Sequence, residues 1–165
     1  MKPFFLTFAF LLLASIPVFP QAISIGIGAD VTFPLEQLKD KVETGYGATA
    51  LLKFGLIPLI DLTGGAEYLV FTSKPVTVNG VSGDASGNTW GIIIGGRVNI
   101  IPALYAGLET GSYSFTSKIP GSEETITHGV LAPMVGANLG PLDLAARYVS
   151  AGDHTFWGLR GMFWL

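Results

Sequence analysis

A serine, two histidines and a short acidic run are the residues in this 165-residue chain whose types could do chemistry. Ser150, Asp153 and His154 lie close together and contain the three types of a nucleophile, an orienting acid and a base. Glu123, Glu124 and His128 are metal-binding types without a diagnostic spacing. Loop residues of these kinds fall together by chance, so neither group is adopted. His128 reads as a hydrogen-bonding residue of a lumen or rim. The expectation is a protein that is not an enzyme and has no catalytic residue, metal or cofactor. The chain has no cysteine, which removes thiolate ligands, disulfide scaffolds and a lipoprotein acylation site. Gly26 and Gly28 resemble a nucleotide loop only superficially, because no helix follows them.

A second set of polar residues is more orderly. Asp30, Lys53, Glu67, Arg97, Glu109, Asp143, Arg147 and Arg160 each interrupt an apolar segment. Charged residues make up 13% of the chain, against about 25% in ordinary soluble domains. A formal net charge of −3 with no basic patch gives no reason to expect a nucleic-acid partner.

The elements that carry these charges alternate with period two, as half-buried strands do. In TWGIIIGGRVNI, Trp90, Ile92, Ile94, Val98 and Ile100 oppose Thr89, Ile93, Arg97 and Asn99. About eight strands follow from this reading: 22–33, 45–57, 61–73, 88–100, 103–116, 125–139, 142–151 and 154–165. Most reach the 9–11 residues of a tilted membrane strand. Tight turns at Pro58, Pro102 and Pro141 alternate with longer polar connections at 74–88 and 117–125. Leu35, Leu38 and Val42 suggest a short amphipathic helix turn in the first connection. Short turns at one end and long loops at the other is the pattern of outer-membrane barrels.

Sorting the eight strand charges by face puts all of them with the glycines and small polar residues. The other face is uncharged, and a charge in hydrocarbon costs several kcal/mol. Four acids and four bases would therefore point into a lumen, with Lys53 opposite or nearly opposite Glu67. Arg147 and Arg160 would share Asp30, Glu109 or Glu67, and losing one acid would cost about 3–5 kcal/mol. Phe33, Tyr46, Trp90, Tyr148 and Trp157 fall on the apolar face near the long-loop end, where an interfacial aromatic girdle belongs. A soluble lipocalin-like barrel has the same alternation with the faces exchanged, but its solvent face would carry more charge.

Residues 1–22 combine Lys2, an apolar run from Phe4 to Ile16, and the breakers Pro17 and Pro20. They read as a secretory signal peptide, leaving 23–165 as one barrel domain. The last segment, TFWGLRGMFWL, alternates Trp157, Leu159, Gly161, Phe163 and Leu165. With eight strands before it, the chain resembles small bacterial outer-membrane barrels of the OmpA transmembrane-domain or OmpX type. The terminal alternation is similar to the insertion signal of that class, which usually ends in Phe; Leu165 and Gly161 depart from it. The resemblance implies an all-β fold, an eight-stranded antiparallel up-and-down transmembrane barrel in the bacterial outer membrane. It implies partners in the lipid bilayer, lipopolysaccharide, the outer-membrane insertion machinery and an unknown extracellular ligand. Lipid A deacylase barrels carry a His-x-Ser pair, which neither His128 nor His154 completes. The expected role is structural or surface-binding, through loops 74–88 and 117–125. A lipid-modifying enzyme and a secreted lipocalin-like binder are the alternatives.

Overall fold

The computed structural model describes residues 23–35, 38, 43–78, 81–119 and 122–165, with side chains outside 73–86 and 118–123. The expected signal peptide and Val42 lie outside these residues. Eight strands follow in chain order: β1 (Ile23–Leu35), β2 (Gly45–Ile57), β3 (Ile60–Val78), β4 (Val81–Ile101), β5 (Leu104–Ile119), β6 (Ser122–Leu139), β7 (Leu142–Ala151) and β8 (His154–Trp164). Each pairs antiparallel with the next, and β8 closes on β1. Leu35 continues β1, while Leu38 is helical and buried.

The registers fix the shape. Paired residues starting from Val31 run through Tyr46, Val70, Asn88 and Thr116 to Thr125 in one direction. In the other direction they run through Leu159 and Ala146 to Val135. The row thus returns to β6 ten residues away from where it arrived. That stagger over eight strands corresponds to a strand tilt of about 40° and an interior just wide enough for side chains.

Among the described residues, four connections are tight. Pro58-Leu59 and Pro102-Ala103 turn at one end with a register shift beside each. Gly140-Pro141 turns at the same end, with Gly140 at φ 72°. Gly152-Asp153 turns at the other end, with Gly152 at φ 60°. Gly152 is required twice over, because a Cβ there would also press on the His128 ring at 2.6 Å.

The two long connections differ from expectation. Most of 74–88 and 117–125 is strand, not loop. The β3–β4 ladder shifts register between Phe71 and Lys74 and then continues to Val78 opposite Val81. The β5–β6 ladder runs unbroken to Ile119 opposite Ser122. The polar composition that suggested loops belongs to a ribbon in which Lys74–Val78 pair only with Val81–Ala85, beyond the last partners in β2 and β5, and to the end of the β5–β6 ladder. Alternation of hydrophobicity disappears there although backbone pairing persists.

The wall is inverted relative to a soluble barrel. Ile25, Ile27, Ile92, Ile94, Leu108, Val135, Leu144 and Leu159 are all exposed on the outer face. Asp30, Glu67, Arg97, Glu109, Asp143, Arg147 and Arg160 are each at most 2% exposed on the inner face. Inward glycines make room for the largest rings: a Cβ at Gly91 would overlap Tyr113, and one at Gly136 would overlap Tyr105.

Candidate functional site

Registers and contacts divide the inward side chains into three tiers. The lowest, next to the short turns, centres on Asp143. Its carboxylate accepts from Arg97 Nη1 at 2.6 Å, Tyr105 Oη at 2.7 Å and Trp164 Nε1 at 3.4 Å. The Arg97 guanidinium also lies over the Tyr105 ring at 4.6 Å, and Lys53 Nζ lies 4.3 Å over Trp164. Lys53 is paired across the ladder with Thr63, not with Glu67, which faces Thr49. The two-residue turn sets Ile57 opposite Ile60, and the one-residue shift beside it leaves Lys53 opposite Thr63, four residues from the expected partner. Asp61, overlooked among the inward charges, shares this tier and accepts from Asn99 Nδ2 at 3.1 Å. Among the described residues below the mouth, the inner face therefore carries five acids and four bases, so its formal charges do not cancel.

The middle tier is an ion cluster. Arg147 grips Glu67 with both terminal nitrogens, at 3.0 and 2.9 Å. It also donates to Glu109 at 3.2 Å and Asp30 at 2.8 Å. Arg160 donates to Asp30 at 3.1 Å, to Glu109 at 2.8 Å and to Glu67 through a short contact. Thr49 Oγ1 takes the remaining oxygen of Asp30. Each carboxylate thus touches both guanidiniums. Asp30 and Arg160 are directly paired across the β1–β8 closure, so the cluster stitches the ends of the barrel together. Burial removes water from every member, which makes mutual satisfaction obligatory.

The upper tier is aromatic. Phe156 stands edge-on to Phe71 at 6.2 Å and stacks near Tyr113 at 6.4 Å. Phe115 stacks on His154 at 4.4 Å, and the His128 and His154 rings are 5.7 Å apart. Buried Leu38 completes the core cluster containing these rings. Ser150 does not join His154: it lies on the outward side, between inward Val149 and Ala151, while His154 packs inside the mouth. The Ser150, Asp153 and His154 arrangement is therefore not a triad. Among the described residues no group of His, Asp and Glu is arranged to hold a metal ion.

On the outer face, Phe33, Tyr46, Trp90 and Trp157 are between 43 and 59% exposed. Tyr148 is half-buried because it packs edge-on against Trp157 at 5.3 Å. The row includes Tyr68, which the sequence reading missed; it faces Trp90, and its hydroxyl accepts from Asn88 at 3.2 Å. The row is not a complete ring. Trp90 pairs with Ser114, which pairs with Thr127, and their hydroxyls meet at 2.8 Å. On β8, Trp157, Leu159 and Phe163 share the exposed outer face, and Leu165, just past the strand, is exposed too.

These features define a class by fold: an eight-stranded barrel of the kind found in small outer-membrane proteins, with an apolar exterior and a lumen filled by charge and aromatic rings. Three solved structures give the likeness its particulars. Ail, the attachment invasion locus protein of Yersinia pestis, superposes with a TM-score of 0.59 at 13% identity, over 86% of this chain and 96% of Ail. Neisserial surface protein A gives 0.51 at 12% identity, over 86% and 96% of the two chains. The N-terminal β-barrel domain of Pseudomonas aeruginosa OprF gives 0.51 at 11%, over 88% and 99%. Ail has also been solved in complex with the heparin analogue sucrose octasulfate. No protein-family model matches the sequence, and no curated protein does either.

Proposed function

We propose that the protein is a non-enzymatic surface barrel of the bacterial outer membrane that binds an extracellular partner through its mouth and its two long ribbons. The sealed lumen carries this reading. Three tiers of buried side chains occupy the interior, so solute transport is not what the architecture serves. What the fold adds beyond a membrane plug is reach. The β3–β4 ladder continues ten residues past the Tyr68–Trp90 rung, roughly 30 Å of strand.

In this reading the exposed apolar band contacts lipid, and the aromatic row sits at the outer interface beside lipopolysaccharide. Residues 1–22 direct export. Trp157, Leu159, Phe163 and Leu165 engage the insertion machinery as the outward face of the closing strand. The ribbons then stand outside the cell, and the short turns face the periplasm. The absence of cysteine makes the topology easy to test. An impermeant maleimide should label Thr125→Cys and Asp153→Cys on intact cells. Leu59→Cys and Ala103→Cys should react only after the outer membrane is permeabilised. The reverse pattern, or recovery of the protein in the soluble periplasm, would refute the assignment.

A further inference from the structure

The mouth of the barrel holds a cavity of about 180 Å³. Its walls are unlike the tiers below it. Leu38, Phe71 and Phe115 supply apolar surface, and the His154 ring stacks on Phe115. Thr89 lines the same space; it is 1% exposed, and its hydroxyl has no hydrogen-bond partner among the described residues. Among the described residues, Glu124 is the one carboxylate on the wall. A buried hydroxyl without a partner is costly, and one opening into a cavity is a group prepared for a ligand or a water.

The charge balance indicates the sign of that ligand. Among the residues at this end of the barrel whose side chains the structure describes, Glu43, Glu124 and Asp153 are acidic and none is a lysine or arginine. An anion would find donors in hydroxyls such as that of Thr89 but would meet repulsion from the Glu124 carboxylate and the electron-rich Phe faces. A cation would meet a carboxylate, an acceptor hydroxyl oxygen and two aromatic faces. The volume limits size: an apolar cavity of roughly 150 Å³ takes one benzene ring.

The geometry points to a binding site for a small organic ammonium ion, of one aromatic or branched aliphatic body and one amine, at the mouth of the barrel. The ammonium would sit between Glu124 and Thr89 Oγ1, with the apolar body against Phe71, Phe115 and Leu38. This differs in kind from the polyanion seen on Ail. It deepens the surface-binding reading and rests on it for the ligand's origin outside the cell.

The test uses the full mature chain refolded in detergent micelles, so binding is read independently of cellular orientation. Benzylamine, benzyl alcohol and benzoate share a body and differ in charge. Benzylamine should give saturable NMR shifts at Phe115 and Leu38, benzyl alcohol about tenfold weaker ones, and benzoate none. Glu124→Gln should weaken benzylamine about tenfold and leave benzyl alcohol unchanged. Thr89→Val, nearly isosteric, should weaken the amine without altering heat-modifiable migration of the barrel. Equal binding of amine and alcohol, shifts that grow linearly as for micelle partitioning, or an unaffected Glu124→Gln variant would overturn the site. If binding holds but surface labelling shows the mouth facing the periplasm, the site stands and the outward orientation fails.

Discussion

The middle of the lumen and its mouth use opposite means to fill the same cylinder. In the middle, Arg147 and Arg160 are locked by three carboxylates, and most polar atoms find partners. At the mouth, Phe71 stands edge-on to Phe156 and Phe115 to Tyr113, while Tyr113 and Phe156 lie nearly parallel, leaving a cavity and a Thr89 hydroxyl without a partner among the described residues. The ion tier is specific and intolerant, since each member is held by the charge of the others. The aromatic tier is adaptable, since rings can shift without stranding a charge. A barrel divided this way can keep its wall rigid while its outer end varies.

The ion tier should show the largest response to mutation. It sets three carboxylates against two guanidiniums, so the two kinds of loss are unequal. Arg147→Met leaves three acids facing one base and should cost about 3–5 kcal/mol in urea unfolding from lipid vesicles. Glu109→Gln leaves two of each and should cost roughly half of that. The sequence alone put the loss of one acid at about 3–5 kcal/mol; the three-to-two stoichiometry lowers that expectation for an acid and keeps it for a guanidinium. Equal losses for the two variants would mean that the cluster holds an additional cation or proton in place of the imbalance.

At the mouth, Phe156→Ala removes a fully buried ring and should cost about 3 kcal/mol in the same assay. Gly152→Ala strains a φ of 60° and presses on His128, and should cost about 1–2 kcal/mol. The smallest effect is on conduction. Wild-type protein in planar bilayers should pass little steady current, and Phe156→Ala should pass no more, because the ion tier below still fills the lumen. Stable channels in the wild type would contradict a sealed interior.

The wall was legible in the sequence because one physical rule acts on it everywhere. Period-two alternation, with Asp30, Arg97 and Arg160 all on one face, identifies strands and sides without knowledge of neighbours. Register was less legible. It depends on turn geometry, and the tight Pro58-Leu59 turn with its one-residue shift puts Lys53 opposite Thr63 rather than Glu67. The ribbons were least legible, since Lys74 to Val78 and Val81 to Ala85 pair through their backbones, which leaves no mark on the sequence. The mouth cavity was not legible at all. Leu38, Phe71, Thr89, Phe115 and Glu124 come from five separate segments, and only closure of the barrel brings them together. The aromatic row was partly visible: Tyr68 was missed although it shares a face with Leu62 and Val70. The gap at Ser114 and Thr127 emerges only when the strands are placed in register.

The central claim is that the apolar face is the outside of the barrel and meets lipid. Single-cysteine variants at Ile94, Leu108 and Leu159, spin-labelled and reconstituted in vesicles, test it directly by collision with molecular oxygen against a water-soluble nickel complex. All three lie exposed on the outer face, on three different strands. The account predicts that oxygen, which concentrates in hydrocarbon, broadens all three signals while the nickel complex leaves them unchanged. Strong nickel broadening at these positions would place the apolar face in water and contradict the account.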